Sequence, residues 1–142
     1  MKVVIIDGQG GKMGQMIIEQ IKSSSVPCEL IAIGTNSIAT SAMIKAGADA
    51  GATGENPVIV ASRDAEVIIG PIGIIAADSL LGEITPAMAV AVGQSKAKKL
   101  LLPVNLCSNI IIGTRSLSLT KLIAEVVEEL SKMALKGEGS NK

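Results

Sequence analysis

The sequence predicts an α/β domain of the doubly wound, Rossmann-like type, with a mainly parallel sheet, helices on both faces and an antiparallel edge strand. Three observations predict it. The first strand-like run, Lys2 to Ile6, is β-branched and does not alternate with polar residues, as a strand buried on both faces should read. A glycine-rich turn and a helical pattern follow it at once. Strand-like and helix-like segments then alternate along the chain, which is the order that builds a parallel sheet between two helical layers with right-handed crossovers.

Asp7 to Gly11 forms the first turn. From Lys12 to Lys22, apolar residues fall at Met13, Met16, Ile17 and Ile21, which is helical spacing, and Ser23 to Pro27 ends the segment. Glu29 to Ile33 reads as the second strand and Gly34, Thr35 and Asn36 as its exit turn. Asn36 or Ser37 caps a helix that runs to Ala46 and is closed by Gly47. Ala48 to Asn56, rich in Gly and Ala, reads as a loop, and Val58 to Ala61 as the third strand, with Pro57 tolerated at its start. Arg63 to Ala65 then connects to a fourth strand, Val67 to Ile69, a link short for a crossover.

Gly70 to Gly73 is a second glycine turn, and Ile74 to Leu81 a short helix. Thr85 before Pro86 marks a helix start, running to about Lys96. Leu100 to Val104 is the fifth strand. Asn109 to Gly113 follows too soon for a crossover and is expected to pair antiparallel with it. An amphipathic helix spans about Leu119 to Met133. The organisation expected is one domain, residues 1–135, and a frayed polar tail, 136–142.

Composition limits the chemistry. The 142 residues suit one domain. Thirteen basic and thirteen acidic residues cancel, and there is no Phe, Tyr or Trp. Neither the charge excess nor the stacking surfaces of a nucleic-acid binder are present. There is no His, so Ser–His and Cys–His pairs and imidazole metal sites are excluded, and acid–base work falls to Asp, Glu, Lys, Cys or water. No spacing suggests a metal cage. Mean hydropathy is +0.50, yet apolar runs such as Leu100–Leu102 and Ile72–Ala77 fall far short of the roughly 20 residues of a membrane span. The apolar excess points to buried strands and to a subunit interface, hence to a homo-oligomer. With the chain entering its first strand at once and only Cys28 and Cys107 as thiols, a cytoplasmic setting is expected.

Open parallel sheets bind ligands beyond the carboxyl ends of their strands. Here those ends carry Asp7, Gly8, Gln9, Gly10 and Gly11, with Lys12, Met13 and Gly14 opening the helix; then Gly34, Thr35 and Asn36; Gly70 and Gly73; and Asn105. Glycine admits a ligand close to the backbone, and the N–H groups that open a helix bind anions. These positions are the candidate binding residues for a small phosphate-bearing ligand. Asp7 and Glu55 are the candidate catalytic carboxylates; Asp49, Asp78 and Glu83 also lie near turns. Cys107 lacks a cationic partner in the sequence that would activate it.

Gly8, Gly11 and Gly14 stand in a G-x-x-G-x-x-G pattern closed by Lys12-Met13-Gly14. Over residues 2–22 this resembles the cofactor turn of dihydrodipicolinate reductases and prephenate dehydrogenases, which implies NAD or NADP as cofactor. Gly34-Thr35-Asn36 departs from the acidic residue that NAD sites place after the second strand, and Asp7 sets a carboxylate where a pyrophosphate approaches. The turn lacks the Lys-Ser/Thr of a P-loop, so ATP hydrolysis is set aside. Across most of its length, at Val3–Gly11, Ile33–Asn56 and Ile68–Ala89, the chain resembles an uncharacterised family of small bacterial proteins. That resemblance implies a Rossmann-like fold and a bacterial cytoplasmic setting, and no reaction. The reading is nucleotide or dinucleotide binding at the first turn. A small enzyme using a carboxylate base on a phosphorylated metabolite and a non-catalytic oligomeric regulator stand as alternatives.

Overall fold

Lys2–Asp7 forms β1, the central strand, and every residue from Val3 to Asp7 is buried. The computed structural model describes residues 1–104, 108–114 and 117–139. After β1 come α1 (Lys12–Ser23), β2 (Glu29–Gly34), α2 (Ser37–Lys45), β3 (Ala50–Thr53), α3 (Glu55–Ala61) and β4 (Val67–Pro71). A 3-10 turn (Ile72–Ile75), α4 (Pro86–Gln94), β5 (Lys98–Leu102) and α5 (Leu119–Gly139) complete the order. The five strands lie in the order β3-β2-β1-β4-β5, and every pairing is parallel. This is the strand order of the Rossmann type, with its topological switch between β1 and β4.

Two apolar layers hold the sheet. Val3 and Ile5 of β1, with Leu30, Ala32, Val67 and Ile69, pack under α1, Met43 of α2 and the Leu122–Leu130 stripe of α5. Val4 and Ile6 face the other way, with Ile33 and Ile68, against Val58 of α3, Met88 and Val92 of α4, and Leu80 and Ile84. Because both faces are covered, the central strands need apolar residues at consecutive positions, which is why β1 does not alternate.

Four expectations are corrected. Asn109 to Gly113 forms no strand, and the edge at that side is β5, which runs parallel to β4. The third strand is Ala50–Thr53, inside the stretch read as a loop; its small residues pair with Ile31 to Gly34 of β2. Val58 to Ala61, read as that strand, belongs to α3. The β-branched run favours a strand locally, but Val58 and Ala61 lie one helical turn apart and both enter the core, and Glu55 and Pro57 suit a first turn. The awkwardly short link disappears with this correction, since α3 is itself the crossover from β3 to β4. Finally, Ile74 to Leu81 is not a helix. Beyond the 3-10 turn the backbone is left-handed at Asp78, Leu80, Leu81 and Gly82. Such a conformation costs about 1 kcal/mol or more per non-glycine residue. Burial of Leu80 and Ile84 in the core holds it in place.

Thr85 caps α4 as its sequence predicts, its hydroxyl accepting from the Met88 N–H at 3.2 Å. The last helix runs past Met133 to Gly139. Ser62, at the end of α3, is 3% exposed and its hydroxyl meets no partner among the described residues. An unpaired buried hydroxyl costs about 1–3 kcal/mol. Ser62→Ala is therefore expected to leave the fold intact and raise the denaturation midpoint; a lower midpoint would show that the hydroxyl is bonded in solution. Among the described residues, no helix is long and apolar enough to cross a membrane.

Candidate functional site

The first turn is organised by Asp7. Its carboxylate, 3% exposed at the end of β1, accepts the Gly8 N–H through Oδ1 and the Gly14 N–H through Oδ2, each at 2.8 Å. It thus ties the end of the strand to the first turn of α1. Burial pushes the Asp7 carboxyl above its ordinary value of 3.8; the bonds from Gly14 and Gly8 oppose this, and the Glu83 carboxylate adds to it. An acid with a raised folded value binds more protons folded than unfolded. Its contribution to stability is complete below 3.8 and is lost as pH rises through the raised value. Paired melts of wild type and Asp7→Asn between pH 7 and pH 4 test this sign: the difference is expected to move in favour of wild type as the pH falls. A pH-independent difference would remove the assignment.

The glycines of the turn have different duties. A Cβ on Gly8 would lie 2.6 Å from Thr35 Oγ1, and one on Gly14 would lie 2.5 Å from Met43 Sδ, so both serve close packing. Gly11 has φ 71° and would set its Cβ 2.7 Å from Ala39 Cα of α2. Gly10 alone among these four opens onto free space. Beside it lies a cleft of about 270 Å³ lined by Asp7, the 8–13 turn, Val104 and Leu119. The N–H groups of Gly10, Lys12 and Met13 meet no acceptor among the described residues, and Lys12 is exposed. Leu119, the first residue of α5, also lines it, so the first residues of two helices border the cleft. Those ends carry partial positive charge.

The second turn is tied to the first by a residue from far along the chain. Glu83 Oε2 accepts the Gln9 N–H at 2.9 Å. Its Oε1 accepts from Asn36 Nδ2 at 2.6 Å and from the Thr35 hydroxyl at 3.2 Å. Asn36 Nδ2 also donates to the Gln9 carbonyl at 2.9 Å, while Asn36 Oδ1 caps α2 through the Ala39 N–H. Glu83 owes this position to the left-handed run before it. Its nearness to Gly82 marks it in the sequence as an acid beside a turn, but nothing local points it at Gln9 or Asn36.

The structure thus gathers Asp7, Gly8, Gln9, Gly10, Gly11, Lys12 and Met13 at one cleft, with Thr35 and Asn36 joined to them through Glu83, while Gly14 lies outside the lining and serves packing and the Asp7 bond. Gly34 leaves no room for a Cβ against Thr40, and Gly70 none against the Ile6 carbonyl at 2.5 Å, so both are packing positions. Gly73 lies in the 3-10 turn, where its carbonyl accepts from the Ser79 hydroxyl. Glu55 does not line the cleft; its carboxylate accepts the Thr85 hydroxyl at 2.5 Å, joining the starts of α3 and α4. Asn105 and Cys107 fall outside the described residues. Cys28 is half-buried, and burial pushes its thiol up, away from a reactive thiolate.

A parallel five-stranded sheet in the Rossmann order, with a glycine turn and a cleft at the carboxyl end of its central strand, defines the class of protein. Within that class, residues 2–135 match the family described as Domain of unknown function (DUF3842), and the chain belongs to it. No curated protein matches the chain. Among solved structures it is similar to one described as the crystal structure of a dodecameric FMN-dependent Ubix-like decarboxylase from Escherichia coli O157:H7. The two share 12% identity over 94% of this chain and 93% of that one, with a TM-score of 0.41.

Proposed function

We propose that this chain binds a phosphate-bearing small molecule of nucleotide type in the cleft over the 8–13 turn. The observation that carries this reading is the N–H groups of Gly10, in the turn, and of Lys12 and Met13, which open α1: they border that cleft at the carboxyl end of β1 and meet no acceptor among the described residues. Backbone N–H groups at a helix start, with the dipole behind them, are the ordinary seat of a phosphate, and the exposed Lys12 adds a full positive charge beside them. At about 270 Å³ the cleft is near the lower end of the roughly 300–1,000 Å³ of small-molecule sites, which suits the phosphate and sugar end of a nucleotide.

NAD and NADP are the dinucleotide candidates. NAD sites place an acid after their second strand to take the ribose hydroxyls. This chain has none there, but Thr35 and Asn36 hold the Glu83 carboxylate at that strand end. A 2′-phosphate would meet this negative charge, so NAD is the better fit of the two. The cleft also favours a second reading, an enzyme with Asp7 as acid or base, because Asp7 lines the cleft and burial pushes its carboxyl upward. Turnover lost in Asp7→Asn with binding retained supports that reading; binding without turnover supports a nucleotide-responsive regulator.

The test is a thermal-denaturation titration of the purified chain with NAD, NADP, their reduced forms, ATP, GTP and sugar phosphates. A true ligand at 100 times its Kd adds about 2.7 kcal/mol to stability. A saturable shift with one nucleotide class is the expected result. No shift with any of them removes the reading and leaves the glycines to the packing of the turn.

A further inference from the structure

The outer surface formed by α3 and α4 does not look like a surface made for water. The two helices lie side by side and run in the same direction. The Thr85 hydroxyl donates to Glu55 at 2.5 Å where they start, and the Ser95 hydroxyl donates to the Ser62 carbonyl at 2.6 Å where they end. Between them runs a groove of about 560 Å³ whose floor is Ile59, Ala87, Val90 and Ala91. No charged residue occurs anywhere in α4, and Val60 and Val90 stand 46% and 53% exposed. A helix in the outer layer of such a fold normally turns a polar face outward; one that is apolar all round is covered.

The charges at the two ends of the groove indicate what covers it. Arg63 and Lys96 stand at its carboxyl-terminal end, and neither has an ion-pair partner among the described residues. Glu55, the first residue of α3, stands beyond the groove's lining on its amino-terminal side, where it accepts the Thr85 hydroxyl and has no ion-pair partner among the described residues. We propose that two copies of this chain pair through this groove about a two-fold axis, with α3 and α4 of one copy antiparallel to those of the other. A two-fold interface is self-complementary. Rotation about an axis across the groove sets Arg63 and Lys96 of each copy opposite Glu55 of the other, so apolar floors meet in the middle and opposite charges meet at both ends.

Light scattering coupled to size-exclusion chromatography tests this. The wild-type chain is expected at about twice 14.4 kDa at micromolar concentration. Val90→Glu, a change at an exposed position, is expected to run as a single chain with unchanged circular dichroism. Glu55→Arg, and separately the double variant Arg63→Glu/Lys96→Glu, set like charges against each other and are expected to weaken pairing at least tenfold. Mixed in equal amounts, the two are expected to pair again, because each then supplies the charge the other lacks. This mixing experiment decides the matter even where Val90→Glu fails to fold. A wild-type mass of one chain, a folded Val90→Glu that stays dimeric, or charge variants that remain apart on mixing would each overturn the proposal.

Discussion

Gly11→Ala is expected to destabilise the chain by about 3 kcal/mol or more, summing a left-handed backbone penalty of roughly 1–2 kcal/mol with an overpacking cost of roughly 1–3 kcal/mol. The residue has φ 71°, and its added methyl would lie 2.7 Å from Ala39 Cα and 2.8 Å from the Ala39 carbonyl oxygen. These are backbone atoms of α2, a helix fixed by the Asn36 cap and by the burial of Ala39 and Met43, so the neighbour cannot swing aside as a flexible side chain would. The glycine exists because the turn must reverse direction where α1 and α2 come together. Against an ordinary total stability of about 5–15 kcal/mol, the loss is a large share. Chemical denaturation of wild type and variant gives the difference directly; a change under about 0.5 kcal/mol would mean that α2 yields and that the turn is not fixed by this contact. A binding defect in Gly11→Ala would carry no information about ligands, since the fold itself is disturbed.

Gly10→Val is the informative partner of that variant. Gly10 is exposed, its backbone lies outside the left-handed region, and nothing stands within 4 Å of where its Cβ would be. The fold should tolerate the change, with a denaturation midpoint close to wild type. Yet Gly10 lines the cleft beside the open N–H groups of Lys12 and Met13. A branched side chain there would hold a phosphate away from them. A hydrogen bond to a charged group contributes about 1.5–3 kcal/mol, so even one lost bond weakens binding by roughly tenfold or more. The expected result is therefore a stable protein with the nucleotide-dependent shift abolished. If Gly10→Val binds as wild type does, the phosphate does not sit on this turn.

The candidate site was legible where its chemistry is local. Asp7 to Gly14 can be placed from sequence because a buried-type strand, a turn and a helix pattern follow one another without interruption, and that succession fixes the end of the sheet at which the glycines lie. Thr35 and Asn36 follow for the same reason. Glu83 does not, because the bonds that place it span 74 residues to Gln9 and 47 to Asn36. They depend on a left-handed backbone at Leu80 and Leu81, which those residue types do not announce. The distinct roles of the glycines were hidden in the same way. Which of Gly8, Gly10, Gly11 and Gly14 packs and which stays open depends on Thr35, Ala39 and Met43, and these come from other elements.

By itself the sequence determined an α/β domain with buried parallel strands and a glycine turn after the first of them, since hydrophobic period and turn chemistry are local properties. Only the tertiary structure decided that Ala50–Thr53 is a strand and that Val58 to Ala61 belongs to a helix. Small residues gain a strand's hydrogen bonds only when β2 is beside them, and β-branched residues accept a helix when their buried face has a core to enter. The same holds for the edge of the sheet. Asn109 to Gly113 has a strand's composition, but pairing requires a neighbour in register, and β5 finds its neighbour in β4.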